Sequence, residues 1–172
     1  MVKMTLKERL IEAEAIRFGD FTLASGKKSR VYVDIKKAMT DPEILKAVSE
    51  SVVSQNLKWH IVAGVAVGGI PLAVAASLES GRPYVIIRKE QKGHGLSSPI
   101  IGDVSGKRVL MIEDVTTSGG SALYGVDLIR QAGGEITEII SVVDRDEGAS
   151  ATLSAAGIRL VPLVTMGELL TE

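Results

Sequence analysis

A chain of 172 residues, 45% apolar and 24% charged, is long enough for one domain with a sizeable core and is too apolar to be disordered. Its net charge of −1 offers no overall attraction to nucleic acid or to an anionic membrane, and no apolar run reaches membrane-spanning length or forms a signal peptide, so a cytoplasmic protein is expected. With no cysteine and two distant histidines, His60 and His94, disulfides, thiolate chemistry and a histidine-based zinc site drop out.

In chain order, the pattern begins with an amphipathic helix over 5–16, opened by the capping box Thr5-x-x-Glu8 and burying Leu6, Leu10, Ile11 and Ala13. Apolar runs at 21–23 and 31–35 around a Ser25-Gly26 turn predict an antiparallel hairpin. Asp41 and Pro42 start the next helix, whose buried stripe is Ile44, Leu45, Val48 and Val52. Strands and helices then alternate: strand 60–65, helix 71–78, strands 83–87 and 109–112, helix 121–132, strand 136–143, helix 150–156, strand 159–164, and a last turn capped by Thr165. Gly81, Gly133-Gly134 and Gly157 fall where helices should end. Near-continuous apolar strands separated by helices specify an α/β fold with a central parallel sheet covered on both faces. Residues 90–107 follow neither period and hold four glycines, which reads as a functional lid or a disordered segment.

The richest chemistry lies at 109–121. The strand Val109–Leu110–Met111–Ile112 leads into two adjacent carboxylates, Glu113 and Asp114, and then into Thr116, Thr117, Ser118, Gly119, Gly120 and Ser121 before a helix. A Gly/Ser/Thr turn entering a helix presents unpaired N–H groups and a positive dipole end to a phosphate. Carboxylates repel phosphate, so their place beside such a cradle points to a ligand with hydroxyls as well, such as a sugar phosphate. The turn matches neither the dinucleotide fingerprint nor the P-loop. A joint whose Thr and Ser merely cap the helix leaves the paired acids unexplained.

Two further segments suit anions. Arg88, Lys89, Lys92 and His94 follow the strand ending at 87, with Gly93 and Gly95 as hinges; a charge run is often only a solvated face, but this one leaves the strand end where α/β proteins bind ligands. Between strand 60–65 and its helix, Gly64, Gly68 and Gly69 either allow close approach to an anion or serve tight packing alone. More cations cluster upstream, at Lys27, Lys28, Arg30, Lys36 and Lys37.

On these segments the chain resembles the orotate phosphoribosyltransferases, a type I phosphoribosyltransferase family, over nearly its whole length. Phe18-Gly-Asp-Phe21-Thr-Leu-x-Ser25-Gly26-Lys-Lys-Ser29 is similar to that family's entrance motif, which lines the orotate pocket. Arg88-Lys89-x-x-Lys92-x-His94-Gly95 is similar to its catalytic loop, and Glu113-Asp114-Val-Thr-Thr-Ser-Gly-Gly-Ser121 to its loop for phosphoribosyl diphosphate (PRPP). Val143-Asp144-Arg145-x-Glu147-Gly148 resembles the segment whose arginine binds the orotate carboxylate.

The resemblance implies one domain, 1–172, of the type I phosphoribosyltransferase fold, with an N-terminal hood over about 1–40 and a mobile catalytic loop at 88–107. It implies transfer of ribose 5-phosphate from PRPP to orotate, giving orotidine 5′-monophosphate and diphosphate. The PRPP site would comprise Arg88, Lys89, Lys92, His94, Glu113, Asp114, Val115, Thr116, Thr117, Ser118, Gly119, Gly120 and Ser121, with Lys92 and Asp114 catalytic. Thr117 and Arg145 would bind orotate, and an ion pair of Arg145 with Asp144 or Glu147 is the structural alternative. Mg²⁺ would be the cofactor, carried mainly by the diphosphate and ribose hydroxyls without a direct protein ligand. The family's habit implies a homodimer in which the loop 88–95 serves the neighbouring subunit's site, with no nucleic acid or membrane partner.

Two departures stand out. Ala24 and Gly68 replace lysines common in relatives, leaving Lys27 and Lys28 as the neighbours that could compensate. Two other functions share the PRPP loop. A phosphoribosyltransferase for another purine or pyrimidine base would gain little from Arg145 if its base is neutral. A PRPP-sensing regulator would need a DNA-binding element, for which the chain has no spare segment.

Overall fold

Successive residues of the central strands feed two different cores, which is why those strands are apolar almost without interruption. The computed structural model describes residues 2–89 and 98–171. In strand β3 (Ile61–Val65), Ile61, Ala63 and Val65 face one core and Val62 the other. In strand β6 (Arg108–Thr116), Val109 and Met111 likewise oppose Leu110 and Ile112. One core is closed by helices α1 (Leu6–Glu12), α3 (Pro42–Ser54) and α4 (Gly69–Ser80), through Leu10, Val48, Val52, Leu72 and Ala76. The other is closed by α5 (Gly120–Gln131) and α6 (Ala149–Ala155), through Val126, Ile129 and Leu153.

With strands β4 (Tyr84–Ile87), β5 (Ile100–Ile101), β7 (Glu135–Asp144) and β8 (Arg159–Thr165), the sheet order is β5-β4-β3-β6-β7-β8. All neighbours are parallel except β4–β5. From β3 the chain moves to β4 on one side, and from β6 to β7 and β8 on the other. The connections therefore part between β3 and β6, and an open α/β sheet binds ligands in the crevice at such a point. Among the described residues, no helix is long and apolar enough to cross a membrane.

The structure corrects several expected boundaries. The first helix stops at Glu12 instead of running to 16, because Glu14 turns left-handed at φ 56° and Ala15 accepts the Asp34 N–H at 2.7 Å. Strand β1 (Ile16–Thr22) consequently begins five residues before the expected hairpin, pairing Ile16 with Val33 of β2 (Lys28–Val33). After the buried Ile16 the strand is exposed from Arg17 to Asp20 and its register shifts between Phe18 and Phe21, so no alternation marks it. Ile35 belongs not to the hairpin but to a single turn, α2 (Ile35–Ala38), which Asp34 caps by accepting the Lys37 N–H. The 90–107 segment is not uniformly irregular: β5 pairs antiparallel with β4, and Val104 is buried. Strand β6 runs four residues beyond 112, carrying both acids inside the strand. The last helix, α7 (Met166–Leu170), opens on the capping box Thr165–Glu168.

Candidate active site

Strand β6 outlasts its partner on one side. Pairing with β3 ends at Gly64–Ile112, while pairing with β7 continues through Glu113–Ser141, Val115–Val143 and Thr116–Asp144. Beyond Ile112 the β3 side of the strand is therefore open to the crevice, and the two acids stand at its wall. Both are nearly enclosed, Glu113 at 5% exposure and Asp114 at 7%. Neither could move far without disturbing the sheet.

The two carboxylates have different surroundings. Asp114 Oδ2 accepts from Lys36 Nζ at 2.8 Å. Glu113 Oε1 is buried with no hydrogen-bond partner. Burial, reinforced by the charge of Asp114, pushes the Glu113 carboxyl up to about 7, against the opposing pull of Lys89, the Ser121 hydroxyl and Lys36. Glu113 thus keeps its proton to about neutral pH.

Two helix starts flank this wall. Gly119 is the N-cap of helix α5; it takes φ 90° and supplies no capping side chain, so the first-turn N–H groups of α5 face the turn unpaired by any side chain. Thr117, Ser118, Gly120 and Ser121 line the same small concavity together with Glu113. Helix α4 also starts without a side-chain cap, at Gly68. A Cβ on Gly68 would run into Asp114 Oδ2, and one on Gly69 would lie 2.8 Å from the Ile112 carbonyl oxygen. The glycines of this joint are set by close approach to β6, so tight packing is part of their role.

Not every expected residue aims at the crevice. Thr116 turns its hydroxyl inward, donating to Asp144 Oδ1 at 2.8 Å and lying 3.1 Å from Ser141 Oγ. Val115 packs against the core. Asp144 sits behind Thr116, and its carboxyl is raised by burial despite the Thr116 hydrogen bond. Arg145, at the end of β7, pairs through Nε with Glu147 Oε1 at 3.5 Å and approaches Ser29 Oγ at 3.4 Å. The local ion pair foreseen as a structural alternative is therefore present, with Glu147 and not Asp144, while the Ser29 contact ties the hairpin to the end of the sheet. Arg88 is fixed by its backbone, its N–H donating to Pro99 O and its carbonyl accepting from Tyr124. Lys92 and His94 lie outside the described residues.

One site residue was not singled out from sequence. Lys36 sat in a basic run with Lys27, Lys28, Arg30 and Lys37, and the structure separates it from them: Lys28 Nζ bonds Thr22 Oγ1 within the hairpin, whereas Lys36 reaches Asp114. The enabling feature is α2, whose buried Ile35 and Ala38 seat the turn against the core. No periodic signal marks a four-residue helix.

An open α/β sheet with paired acids and two uncapped helix starts at its switch point is the architecture of a phosphoribosyltransferase, and the phosphoribosyl transferase domain family matches residues 35–156. The chain is 64% identical over 170 residues to an orotate phosphoribosyltransferase of Methanospirillum hungatei, covering 99% of each. Its fold superposes on the crystal structure of orotate phosphoribosyltransferase from Aeropyrum pernix with a TM-score of 0.86 at 34% identity, covering 96% of both chains. It also matches the Mycobacterium tuberculosis orotate phosphoribosyltransferase solved with PRPP, with a TM-score of 0.72 at 30% identity over 87% of this chain and 88% of that one. The chain belongs to the orotate phosphoribosyltransferase family.

Proposed function

We propose that the chain transfers the ribose 5-phosphate group of PRPP to orotate, giving orotidine 5′-monophosphate and diphosphate, as a cytoplasmic enzyme of UMP biosynthesis. One observation carries this reading: two buried carboxylates stand at the end of β6, followed in the chain by an uncapped helix start, with Arg145 at the end of the neighbouring strand β7. Anion, hydroxyl and carboxylate recognition thus stand side by side. The turn from Thr117 to Ser121 holds the 5′-phosphate through N–H groups and hydroxyls, Thr116 and Val115 contributing backbone only. Glu113 and Asp114 accept the ribose hydroxyls. They also face positive charge developing at C1 as the C1–O bond breaks, its electron pair leaving with the diphosphate while an orotate nitrogen gives up its proton to solvent and bonds to C1. Thr117 and Arg145 bind orotate, the guanidinium taking the carboxylate in a planar two-point match as it leaves Glu147.

The donor set suits magnesium held mostly by substrate. No cluster of three acids or histidines stands among the described residues, yet Glu113 Oε1 is a buried carboxylate oxygen without a partner. A cation that keeps much of its shell for water and substrate phosphates fits such a site, with Glu113 and Asp114 acting through the ribose hydroxyls. When bound, magnesium supplies positive charge to the departing diphosphate.

The whole chain, 1–172, acts as one domain, with about 1–40 forming the hood and 88–107 the catalytic loop. Arg88, Lys89, Lys92 and His94 serve the PRPP site, and Lys92 of one subunit of a homodimer works on the neighbour's diphosphate. Loss of orotate absorbance with PRPP and Mg²⁺, against hypoxanthine, adenine and uracil as control bases, tests the reaction. Turnover of a purine with none of orotate overturns it. The shared site is tested by mixing inactive Lys92→Ala and Asp114→Ala proteins under subunit exchange: activity returns up to about one working site per mixed dimer. If mixed dimers form and stay inactive, the loop serves its own subunit.

A further inference from the structure

Asp114 faces two claims on one atom. In the proposed complex its carboxylate accepts a ribose hydroxyl, yet in the free chain Oδ2 already holds the Lys36 ammonium at 2.8 Å. Gly68 abuts that same oxygen, since a side chain there would collide with it. Lys36 and the backbone joint between β3 and α4 therefore converge on one point of the crevice. If the α5 turn takes the 5′-phosphate, this joint, with its uncapped helix start and the Lys36 ammonium, remains for the diphosphate at the other end of PRPP.

The pair is built unevenly. The Asp114 side chain is 10% exposed and fixed in the strand, whereas the Lys36 side chain is 65% exposed on a flexible four-carbon stem. A half-solvated ion pair of this kind is easily exchanged. The hydrogen bond to Asp114, aided by the charges of Asp114, Asp34 and Glu113, keeps the lysine protonated. We propose that Lys36 is a substrate-binding residue that changes partners: it occupies Asp114 in the free enzyme and passes to the PRPP diphosphate, releasing Oδ2 to the ribose hydroxyl. This rests on the reading of the site given above and adds to it a cation from the hood side of the same subunit.

Calorimetric titration of the full chain with PRPP, diphosphate and ribose 5-phosphate, each with Mg²⁺, separates the ends of the ligand. Lys36→Met should weaken PRPP and diphosphate by about ten- to a hundredfold, the value of a charge-assisted contact. Ribose 5-phosphate should bind the variant unchanged or more tightly, because its competitor for Asp114 is gone. Lys36→Arg should restore diphosphate affinity. Lys37→Ala, one residue along with no ion pair among the described residues, should match the unmodified chain in all three titrations. If ribose 5-phosphate weakens as much as PRPP while diphosphate is unaffected, Lys36 is a fixed counter-ion and the proposal fails; it fails equally if none of the three changes. An unmodified chain that binds neither PRPP nor diphosphate instead overturns the functional reading beneath it.

Discussion

The end of β6 and the hairpin β1–β2 both lie at the carboxyl end of the sheet, and they are held there in opposite ways. Glu113 and Asp114 sit in a strand paired with β7 as far as Thr116, enclosed by the core and backed by the Thr116–Asp144–Ser141 contacts. The hairpin pairs only with itself and is exposed over most of β1. Its outer face is held by Arg17 over the Tyr32 ring at 4.7 Å and by Phe21 against Tyr32 at 5.6 Å between centroids. Reacting charge needs fixed geometry, which the sheet offers to the proposed catalytic pair. Contacts that adapt to an entering base can come from a lightly anchored flap.

The largest effect should follow from disturbing the fixed region. Asp114→Asn keeps the shape but removes the charge that pairs with Lys36 and that, in the proposed complex, faces C1. Loss of one placed electrostatic group costs about 10²–10³-fold in turnover, and kcat/KM for PRPP should fall by that order while the fold persists in circular dichroism. A loss below tenfold would place the chemistry away from the β6 end.

Enclosure also has a stability cost, visible in pH dependence. Folded Glu113 keeps its proton to about 7, whereas an unfolded glutamate releases it near 4.5. Between those values the folded chain binds the extra proton, so the Glu113 contribution lowers stability as pH rises and is constant above about 7. Glu113→Gln should therefore match the unmodified chain at pH 4 and exceed it by about 3 kcal/mol at pH 8, read from urea unfolding. Asp144, also raised, tilts both proteins the same way and cancels in the difference. Equal stability at pH 8 would mean that Glu113 is ionised without penalty.

The same contrast explains what could be read from sequence. Strands β3, β6 and β7 were legible because burial on both faces leaves an unbroken apolar run, and β4, β8 and helices α3 to α6 because their apolar residues are contiguous or periodic in the chain. The acid pair and the Gly/Ser turn were legible because they are contiguous. What escaped depends on distant partners. Strand β1 looks polar because it is an exposed flap, and β5 is a two-residue strand with no period of its own. Lys36 belongs to the site only because a capped single turn aims it at a strand 78 residues away. The inward hydroxyl of Thr116 answers to Asp144, which no spacing within 109–121 reveals.

The smaller effects lie where flap and sheet meet. If Arg145 binds orotate as proposed, Arg145→Ala removes a charge-assisted match to the carboxylate worth about 1.5–3 kcal/mol, so the orotate KM should rise roughly ten- to a hundredfold with little change for PRPP. Ser29→Ala removes only the flap's share. Ser29 Oγ lies 3.4 Å from the Arg145 guanidinium while donating to the Val31 carbonyl at 2.7 Å, so its hold on Arg145 is long and weak. The guanidinium keeps its Glu147 partner at 3.5 Å in the free chain and would gain the substrate carboxylate in the proposed complex. The loss should then be at most about 1 kcal/mol, a rise in orotate KM of no more than about fivefold, with PRPP KM and kcat unchanged. A Ser29→Ala effect as large as that of Arg145→Ala would show the hairpin to be a rigid wall of the pocket, and the division between fixed chemistry and adaptable recognition would not hold.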